Sequence, residues 1–179
     1  EISSIGVWDW NVITNEIYFS AGWKSIIGYE NNEIPNKFEE YESRIHPDDV
    51  SNLYNLIDDY LSARAENFLI EFRMRCKNGT YKWIRSSGKV VSFNISGKPE
   101  RFIGTHIDIT KQKVLEEKLI AEKNEFNIAS EISKIGYWIV DLRNMIISGS
   151  KQTFSIFGYE GVEQLSMRQL EILIHPEDR

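Results

Sequence analysis

Part of this sequence occurs twice, and the repeat limits the folds that the chain can adopt. Three short blocks recur in one order, and the second member of each pair follows the first by 129 or 130 residues: EISSIG (1–6) and EISKIG (131–136), IIGYE (26–30) and IFGYE (156–160), and IHPDD (45–49) and IHPED (174–178). Chance is a poor explanation for three matches in the same order. The sequence therefore predicts two copies of one structural unit.

The second copy is shorter than the first. It ends at Arg179, directly after its IHPED block, whereas the first copy continues past IHPDD up to Thr110. We therefore expect one complete unit over residues 1–110, a connecting segment over 111–133 and the front part of a second unit over 134–179. Because the second copy lacks the stretches that would close its core, we expect the native protein to continue beyond Arg179.

Alternation of apolar and polar residues predicts the strands of the first copy. FLIEFRMRC (68–76) places its apolar side chains on one face. The Asn78–Gly79 pair that follows predicts a type I′ turn, since both positions tolerate a positive φ. Two further strands are predicted over residues 81–93 and 101–109, and residues 6–19 predict a hairpin.

Helices are predicted between the hairpin and the long strands, and again after the last strand. A short helix over residues 23–27 should end at Gly28. A second helix should begin at HPDD (46–49), because proline suits the first helical position and carboxylates favour the positive end of the helix dipole. These elements predict an α+β fold, with a five-stranded antiparallel sheet and its helices on one face.

The segment after the last strand predicts a long helix with a coiled-coil seam. KQKVLEEKLIAEKNEF (111–126) is rich in helix formers and contains no glycine or proline. Leu115, Leu119, Glu122, Phe126 and Ala129 follow the alternating four- and three-residue spacing of a short heptad pattern, and Leu115, Leu119 and Phe126 are its large apolar members. We expect these three residues to form the seam of a homodimer.

Composition excludes some classes of partner and compartment. The net charge of −6 argues against nucleic acid, because no excess of basic residues is present to neutralise phosphates. No apolar run approaches the roughly 20 residues of a membrane span. A single cysteine leaves no internal disulfide and fits a reducing compartment. We expect a cytoplasmic segment, whose parent protein could still be anchored in a membrane elsewhere in its chain.

Six motifs of the first copy, taken in order, resemble a PAS domain with its C-terminal PAC extension. They are GVWDWN, IIGYE, IHPDD, KNGTYKWIRSSGKVV, GKPERFIGTHIDIT and the charged helix that follows. The resemblance covers residues 6–110, and residues 136–179 resemble the front of a second copy, so it implies tandem PAS domains. In this family a five-stranded sheet and its helices enclose a small cavity.

The end of the last predicted strand resembles the point at which PAS domains couple their sheet to an output helix. In the family an Asp-Ile-Thr triplet makes this link, and Asp108, Ile109 and Thr110 match it here. Thr110 is placed to cap the new helix with its hydroxyl. Two interpretations stay open: a switching junction, or a helix cap without any switching.

The resemblance also implies a ligand pocket. The aromatic residues of the first copy either line such a pocket or fill it as an ordinary core. If a cavity is present, we expect several residues near it, with Arg85 and Arg73 as partners for an anionic ligand. The expected residues are Ile26, Tyr54, Ile57, Phe72, Trp83, Arg85 and Ile103.

The histidines and the cysteine give no clear metal or cofactor site. We expect His46 and His175, in HPDD and HPED, to cap helices; His106 on the last strand is a weak ligand candidate. Flavin-binding relatives place their cysteine in an Asn-Cys-Arg-like motif on a helix, and Cys76 lies at a strand end instead. Haem-binding relatives use a histidine on the helix after HPDD, and residues 49–66 contain none. Flavin and haem are therefore disfavoured, and any cofactor is unknown.

The sequence contains no catalytic motif that we recognise. It has no serine nucleophile motif, no phosphate-binding glycine loop and no zinc-ligand spacing. We therefore expect no enzymatic activity from this segment and no metal site.

The resemblance implies a module for signal transduction. Such a module would bind a small molecule or a partner, dimerise, and pass a conformational change along residues 111–133 to an output domain in the same chain. In the family that output is most often a histidine kinase of a two-component system, with a diguanylate cyclase next. The alternative is a ligand-free module that only dimerises and sets spacing.

Overall fold

The computed structural model describes residues 5–159, 161–162, 164–175 and 177, with the backbone alone at Leu173. Parts of the repeat blocks lie outside the described residues, namely residues 1–4, Glu160, Pro176 and Asp178. The chain divides into two compact units, Glu1–Leu115 and Glu116–Arg179.

The first unit follows the predicted order of elements. Its strands and helices, with the long helix in which it ends, are β1 (Ile5–Asn11), β2 (Ile17–Phe19), α1 (Ala21–Ile26), α2 (Phe38–Glu42), α3 (Pro47–Leu61), β3 (Phe68–Arg75), β4 (Tyr81–Phe93), β5 (Pro99–Asp108) and α4 (Thr110–Ser133). The five strands form one antiparallel sheet in the order β2-β1-β5-β4-β3. The predicted α+β fold is confirmed.

One face of the sheet supplies most of the core. In β3, Phe68, Ile70, Phe72 and Met74 are buried, whereas Leu69 between them is 60% exposed. Leu53 of α3 is also fully buried. Burial of a side chain of this size contributes roughly 1.5–3 kcal/mol to the stability of the fold. Because the apolar residues alternate along the strand, they lie on one face, and the helices cover that face.

The turn between β3 and β4 differs from the predicted type. Gly79 has a positive φ of 83°, but Asn78 does not belong to the residues with positive φ. The N–H of Gly79 donates to the carbonyl oxygen of Cys76, and the N–H of Cys76 donates to the carbonyl oxygen of Thr80. This pattern fits a three-residue loop, in which a tight turn precedes one left-handed glycine. The Asn78 side chain accepts the N–H of Thr80 instead of helping to form a type I′ turn.

The predicted histidine cap of α3 is confirmed. His46 Nδ1 accepts the N–H of Asp48 at 3.3 Å, and Pro47 occupies the first helical position. His175 Nδ1 accepts the N–H of Glu177 at 3.4 Å in the corresponding motif, whose Pro176 lies outside the described residues. Each histidine thus accepts the backbone N–H of the residue two positions later, and for His46 this hydrogen bond caps the N-terminus of α3.

Lys24 of α1 is buried, although no pattern in the sequence predicts it. Its side-chain Nζ donates to the carbonyl oxygens of Asn31 and Ile34, each at 2.8 Å. These two hydrogen bonds tie the loop after α1 to that helix and satisfy part of the hydrogen-bonding capacity of the ammonium group.

The second unit contains a small sheet and two short helices. Its elements are β6 (Trp138–Asp141), β7 (Ile146–Gly149), α5 (Lys151–Ile156), β8 (Gln164–Ser166) and α6 (Met167–Leu173). The three strands pair in the order β6-β7-β8. Within the part of the chain that the structure describes, no helix has the length and apolar character that a bilayer span requires.

Candidate functional site: a core cavity and a strand-to-helix junction

A small cavity lies between the inner face of the sheet and helices α2 and α3. Its volume is about 30 Å³. A buried water molecule needs roughly 10–15 Å³, so the cavity is small and most of the core is filled. Its lining residues come from all five strands and from α2 and α3: Trp8, Trp10, Ile17, Phe19, Phe38, Tyr41, Ile57, Phe68, Ser86, Phe102 and His106.

The predicted pocket residues are only partly brought together here. Ile57 lines the cavity, and Ile26 and Phe72 are buried in the surrounding core without lining it. Tyr54 points its hydroxyl at Glu42, to which it donates at 2.8 Å. These placements leave Ile57 as the one predicted pocket residue at the cavity wall.

Trp83, Arg85 and Ile103 lie on the outer face of the sheet instead of near the cavity. Ile84 and Ser86 are the buried residues of β4 in this stretch, so strand alternation turns Trp83 and Arg85 outward. The Arg85 guanidinium forms a salt bridge with Glu71 at 2.8 Å. A role for Arg85 as an anion partner inside the cavity does not fit this position.

His106 is buried in the core and is held by Trp23. Its Nδ1 accepts a hydrogen bond from Trp23 Nε1 at 2.8 Å. Its ring also lies beside the rings of Trp8, Tyr41 and Phe72. Burial lowers the pKa of His106 to about 3. Because tryptophan can only donate, the neutral imidazole has its proton on Nε2.

Among the described residues, no group of three or more histidine, cysteine, aspartate and glutamate side chains is placed to hold a metal ion. Cys76 is buried, and burial raises the pKa of its thiol. A buried thiol with a raised pKa is a weak nucleophile, which agrees with a structural role.

At the end of β5, hydrogen bonds connect the start of α4 to β4. Ile109 N–H donates to the carbonyl oxygen of Trp83 at 2.9 Å, and Thr110 Oγ1 accepts the N–H of Trp83 at 2.9 Å. Asp108 Oδ1 accepts the N–H of Thr110 at 2.9 Å. Asp108 therefore caps the start of α4, whereas the predicted cap, the Thr110 hydroxyl, binds the neighbouring strand.

Asp108 is also connected to the end of α1 through Lys82. Lys82 Nζ lies 2.8 Å from Asp108 Oδ2 and donates to the carbonyl oxygen of Ile26, the last residue of α1, at 2.7 Å. Burial alone would raise the pKa of Asp108, but hydrogen bonds from Lys82 and Thr110 outweigh it and lower the pKa. Helix α1, strand β5 and helix α4 thus meet at one ionised carboxylate.

A second contact holds the first turn of α4 on the outer face of the sheet. Lys113 Nζ lies 2.6 Å from Glu71 Oε2 and 5.4 Å from the ring centroid of Trp83. Hydrogen bonds from Lys113, and then from Arg85, lower the pKa of Glu71. Trp83 and Arg85, predicted for the pocket, therefore contribute to the attachment of α4.

Comparison with known proteins identifies the family. Residues 16–106, about half of the chain, match the family model described as the PAS fold. The chain belongs to the PAS family. A sensory box histidine kinase/response regulator from Burkholderia thailandensis E264 has a similar crystal structure, with a TM-score of 0.61 and 35% identity. That match covers 69% of this chain and 90% of that chain.

Other PAS-containing proteins are also similar. The N-terminal domain of a diguanylate cyclase with a PAS/PAC sensor from Marinobacter aquaeolei has a similar structure, with a TM-score of 0.53 and 24% identity. The match covers 61% of this chain and 98% of that chain, and at this identity it shows the fold alone. The sequence is 27% identical over 173 residues to the probable diguanylate cyclase DgcE of Escherichia coli K12, and 40% identical over 81 residues to hybrid signal transduction histidine kinase A of Dictyostelium discoideum. These matches cover 97% and 44% of this chain but only 15% and 4% of the two relatives.

The predicted seam residues of α4 are exposed. Leu115, Leu119 and Phe126 are 57%, 67% and 54% exposed. The Phe126 ring also packs against the ring of Tyr137, with centroids 5.1 Å apart. Exposed leucines in a helix are available for a partner, and a homodimer through this seam stays a prediction.

Several residues of the PAS core site did not emerge from the sequence. Tyr41 and Ser86 line the cavity, and His106 was considered only as a metal ligand. For Ser86 and His106, a signal was present in the alternation of their strands, since both share the inner face with apolar neighbours. Tyr41 lies in a five-residue helix, which is too short for a periodic pattern.

Proposed function

We propose that this PAS domain is a sensory module that passes a change in its core through the Asp108–Thr110 junction into α4. The observation that supports this most strongly is the position of Asp108. Its carboxylate caps α4 and pairs with Lys82, which also binds the end of α1. A movement of α1 against the sheet would therefore act directly on the first turn of the output helix.

The downstream partner in this proposal is an output domain in the same longer chain. A histidine kinase is favoured by the 35% identity to the Burkholderia protein, and a diguanylate cyclase is the alternative favoured by the match along most of this chain to DgcE. Activity of the full-length protein distinguishes them: autophosphorylation from ATP indicates a kinase, and cyclic di-GMP formation from GTP indicates a cyclase. The segment itself would have no catalytic activity.

The proposal includes a second, partial PAS copy in residues 134–179. Ser20 Oγ accepts N–H groups from Val7 and Trp23, and Ser150 Oγ accepts N–H groups from the residues 130 positions after these two, Tyr137 and Thr153. Gly6 in β1 and Gly136, two residues before β6, also correspond. A Cβ on Gly6 would lie 2.6 Å from Trp23 Cα, and a Cβ on Gly136 would lie 2.6 Å from Thr153 Cα. Equal local geometry at equal spacing supports a shared origin of the two segments.

The coupling is tested by a core substitution with a readout in α4. Ile57→Val removes one methylene at the cavity wall, which costs roughly 0.5–1.5 kcal/mol, and Ile13→Val is a matched change at a side chain that is 55% exposed. Hydrogen exchange of the α4 amides around Lys113 is compared with exchange of the β3 amides. Ile57→Val should alter α4 exchange relative to β3, and Ile13→Val should not.

A second variant separates coupling from general destabilisation. In Asp108→Ala the carboxylate that joins β5, α1 and α4 is gone, so the effect of Ile57→Val on α4 should disappear while its effect on β3 persists. If α4 and β3 respond in the same proportion in both backgrounds, the module does not transmit through this junction. The ligand-free dimerisation and spacing module would then be the better description.

A further inference from the structure

Two residues that line the core cavity, Trp8 and His106, each have a buried N–H donor. Trp8 is 94% buried, since its exposed fraction is 6%, and its Nε1 has no hydrogen-bond partner among the residues that the structure describes. His106 is 3% exposed and uses Nδ1 to accept from Trp23, which leaves the protonated Nε2 as a donor. Both residues line the cavity, and their ring centroids are 6.1 Å apart.

The same walls contain no ionised side chain. The remaining polar side-chain groups of the lining residues are the hydroxyls of Ser86 and Tyr41 and the indole N–H of Trp10, which donates to Asn15 Oδ1 at 3.0 Å. The other lining side chains are apolar. Burial raises the pKa of Tyr41 and lowers that of His106, so both are neutral near pH 7. A charged ligand would lose its hydration without gaining a counter-ion, which is strongly unfavourable.

Size and donor chemistry together define the class of ligand. A cavity of about 30 Å³ fits only a few heavy atoms without rearrangement. Apolar walls favour a hydrocarbon body, and an unpartnered buried N–H is stabilised by an oxygen acceptor. Neutral carbonyl compounds combine both properties.

We propose that the cavity binds a small neutral carbonyl compound, whose oxygen accepts from His106 Nε2 and Trp8 Nε1. This inference rests on the proposed sensory function and assigns a ligand class to it. Occupancy would act on Trp8 of β1 and His106 of β5, which lie on adjacent strands of the sheet. His106 is two residues before Asp108, so the ligand contact lies on the strand that ends at the junction.

The test compares two probes of equal shape on the 179-residue chain. Butan-2-one has a carbonyl oxygen where 2-methylbut-1-ene has a CH₂ group. Titrations are followed in ¹H–¹⁵N spectra through the indole N–H signals of the five tryptophans, with the Trp8 signal assigned from Trp8→Phe. We expect the ketone to shift the Trp8 signal and to bind roughly tenfold more tightly than the alkene, as expected for one buried hydrogen bond.

Two variants make the result specific to the donors. His106→Asn keeps an acceptor close to the position of Nδ1 for Trp23 but removes the Nε2 donor, and Trp8→Phe removes the other donor. Each should reduce the preference for the ketone severalfold while binding of the alkene persists. Equal binding of ketone and alkene by the unmodified chain, or no binding of either probe, would overturn the proposed ligand class.

The result of the ketone and alkene titrations is independent of the hydrogen-exchange test of coupling. Exchange in α4 after Ile57→Val measures transmission without any ligand, so failure of the ketone to bind leaves that result unchanged. Conversely, selective ketone binding with no response in α4 would support the ligand class and contradict the sensory function.

Discussion

Acidification from pH 7 to pH 5 should destabilise the first unit mainly through His106. The unfolded imidazole has a pKa of 6.5, and burial lowers the folded value to about 3. Because the folded pKa is depressed, the unfolded state binds the proton first, and stability falls as pH drops below 6.5. Between pH 7 and pH 5 this linkage amounts to a loss of about 2 kcal/mol in the free energy of unfolding.

The pH window separates His106 from the carboxylates. The pKa values of Asp49, Glu71 and Asp108 are all lowered by their basic partners in the folded state. Their contributions are present above the unfolded carboxylate pKa and are lost mainly below pH 5. Tyr41, the titratable side chain whose ring lies beside His106, has a raised pKa and remains neutral throughout the window.

The assay is urea denaturation followed by tryptophan fluorescence at pH 7 and pH 5. Four of the five tryptophans lie in the first unit, and Trp23 directly contacts His106. The matched variant is His106→Asn, which retains an acceptor for Trp23 but does not titrate. The unmodified chain should lose about 2 kcal/mol, and the variant should lose less than about 0.5 kcal/mol, whatever its stability at pH 7.

Two results would refute this reasoning. Equal losses in the two proteins would assign the pH dependence to other groups. No loss in the unmodified chain would mean that the core accepts a protonated His106, which is incompatible with its burial among aromatic rings.

Three further predictions concern other parts of the chain. Lys24→Met should lower the free energy of unfolding by about 1–3 kcal/mol, because a buried and a partly buried carbonyl oxygen lose their donor. Urea denaturation should show a much smaller effect for Lys37→Met at an exposed position, and equal effects would contradict the structural role of Lys24. Glu71→Gln should accelerate amide exchange in the first turn of α4, because its salt bridge with Lys113 is weakened. Global stability should change by no more than about 1 kcal/mol, since the partners of Glu71 are partly exposed. Unchanged exchange would show that Glu71 does not hold α4 on the sheet. Leu115→Ser combined with Leu119→Ser should reduce self-association in sedimentation velocity, and unchanged sedimentation would eliminate the seam.

Much of the fold follows from local patterns in the sequence. The predicted strand over residues 81–93 matches β4, and the long helix ends at Ser133 as expected. Both elements have a strong local signal: a long extended run after a turn, and a long run of helix formers without glycine or proline. The hairpin predicted over residues 6–19 corresponds to β1 and β2.

The cavity was harder to predict because it depends on which face of each strand the helices cover. Trp83 and Ile84 are neighbours and both apolar, so composition does not decide which one turns inward. We predicted Trp83 and Arg85 on the inner face of β4, but the buried residues are Ile84 and Ser86. An error of one residue in assigning the two faces of a strand places every side chain on the wrong face.

The junction was predicted in place but not in detail. The triplet Asp108–Thr110 marks the end of β5, but the sequence does not reveal that the Thr110 hydroxyl faces β4 instead of its own helix. The burial of Lys24 had no local signal at all, since it depends on how the loop at residues 31–34 returns to α1. Such contacts between distant segments are set by tertiary packing.

The strand order has a consequence for synthesis on the ribosome. Since β5 is the central strand, the hairpin of β1 and β2 cannot pair with the rest of the sheet until residues 99–108 have left the ribosomal exit tunnel. The hairpin of β3 and β4 needs no such delay, because only residues 76–80 separate its two strands. Arrival of the central strand would then join the two halves in one late, cooperative step, and α4 would be the next segment to emerge.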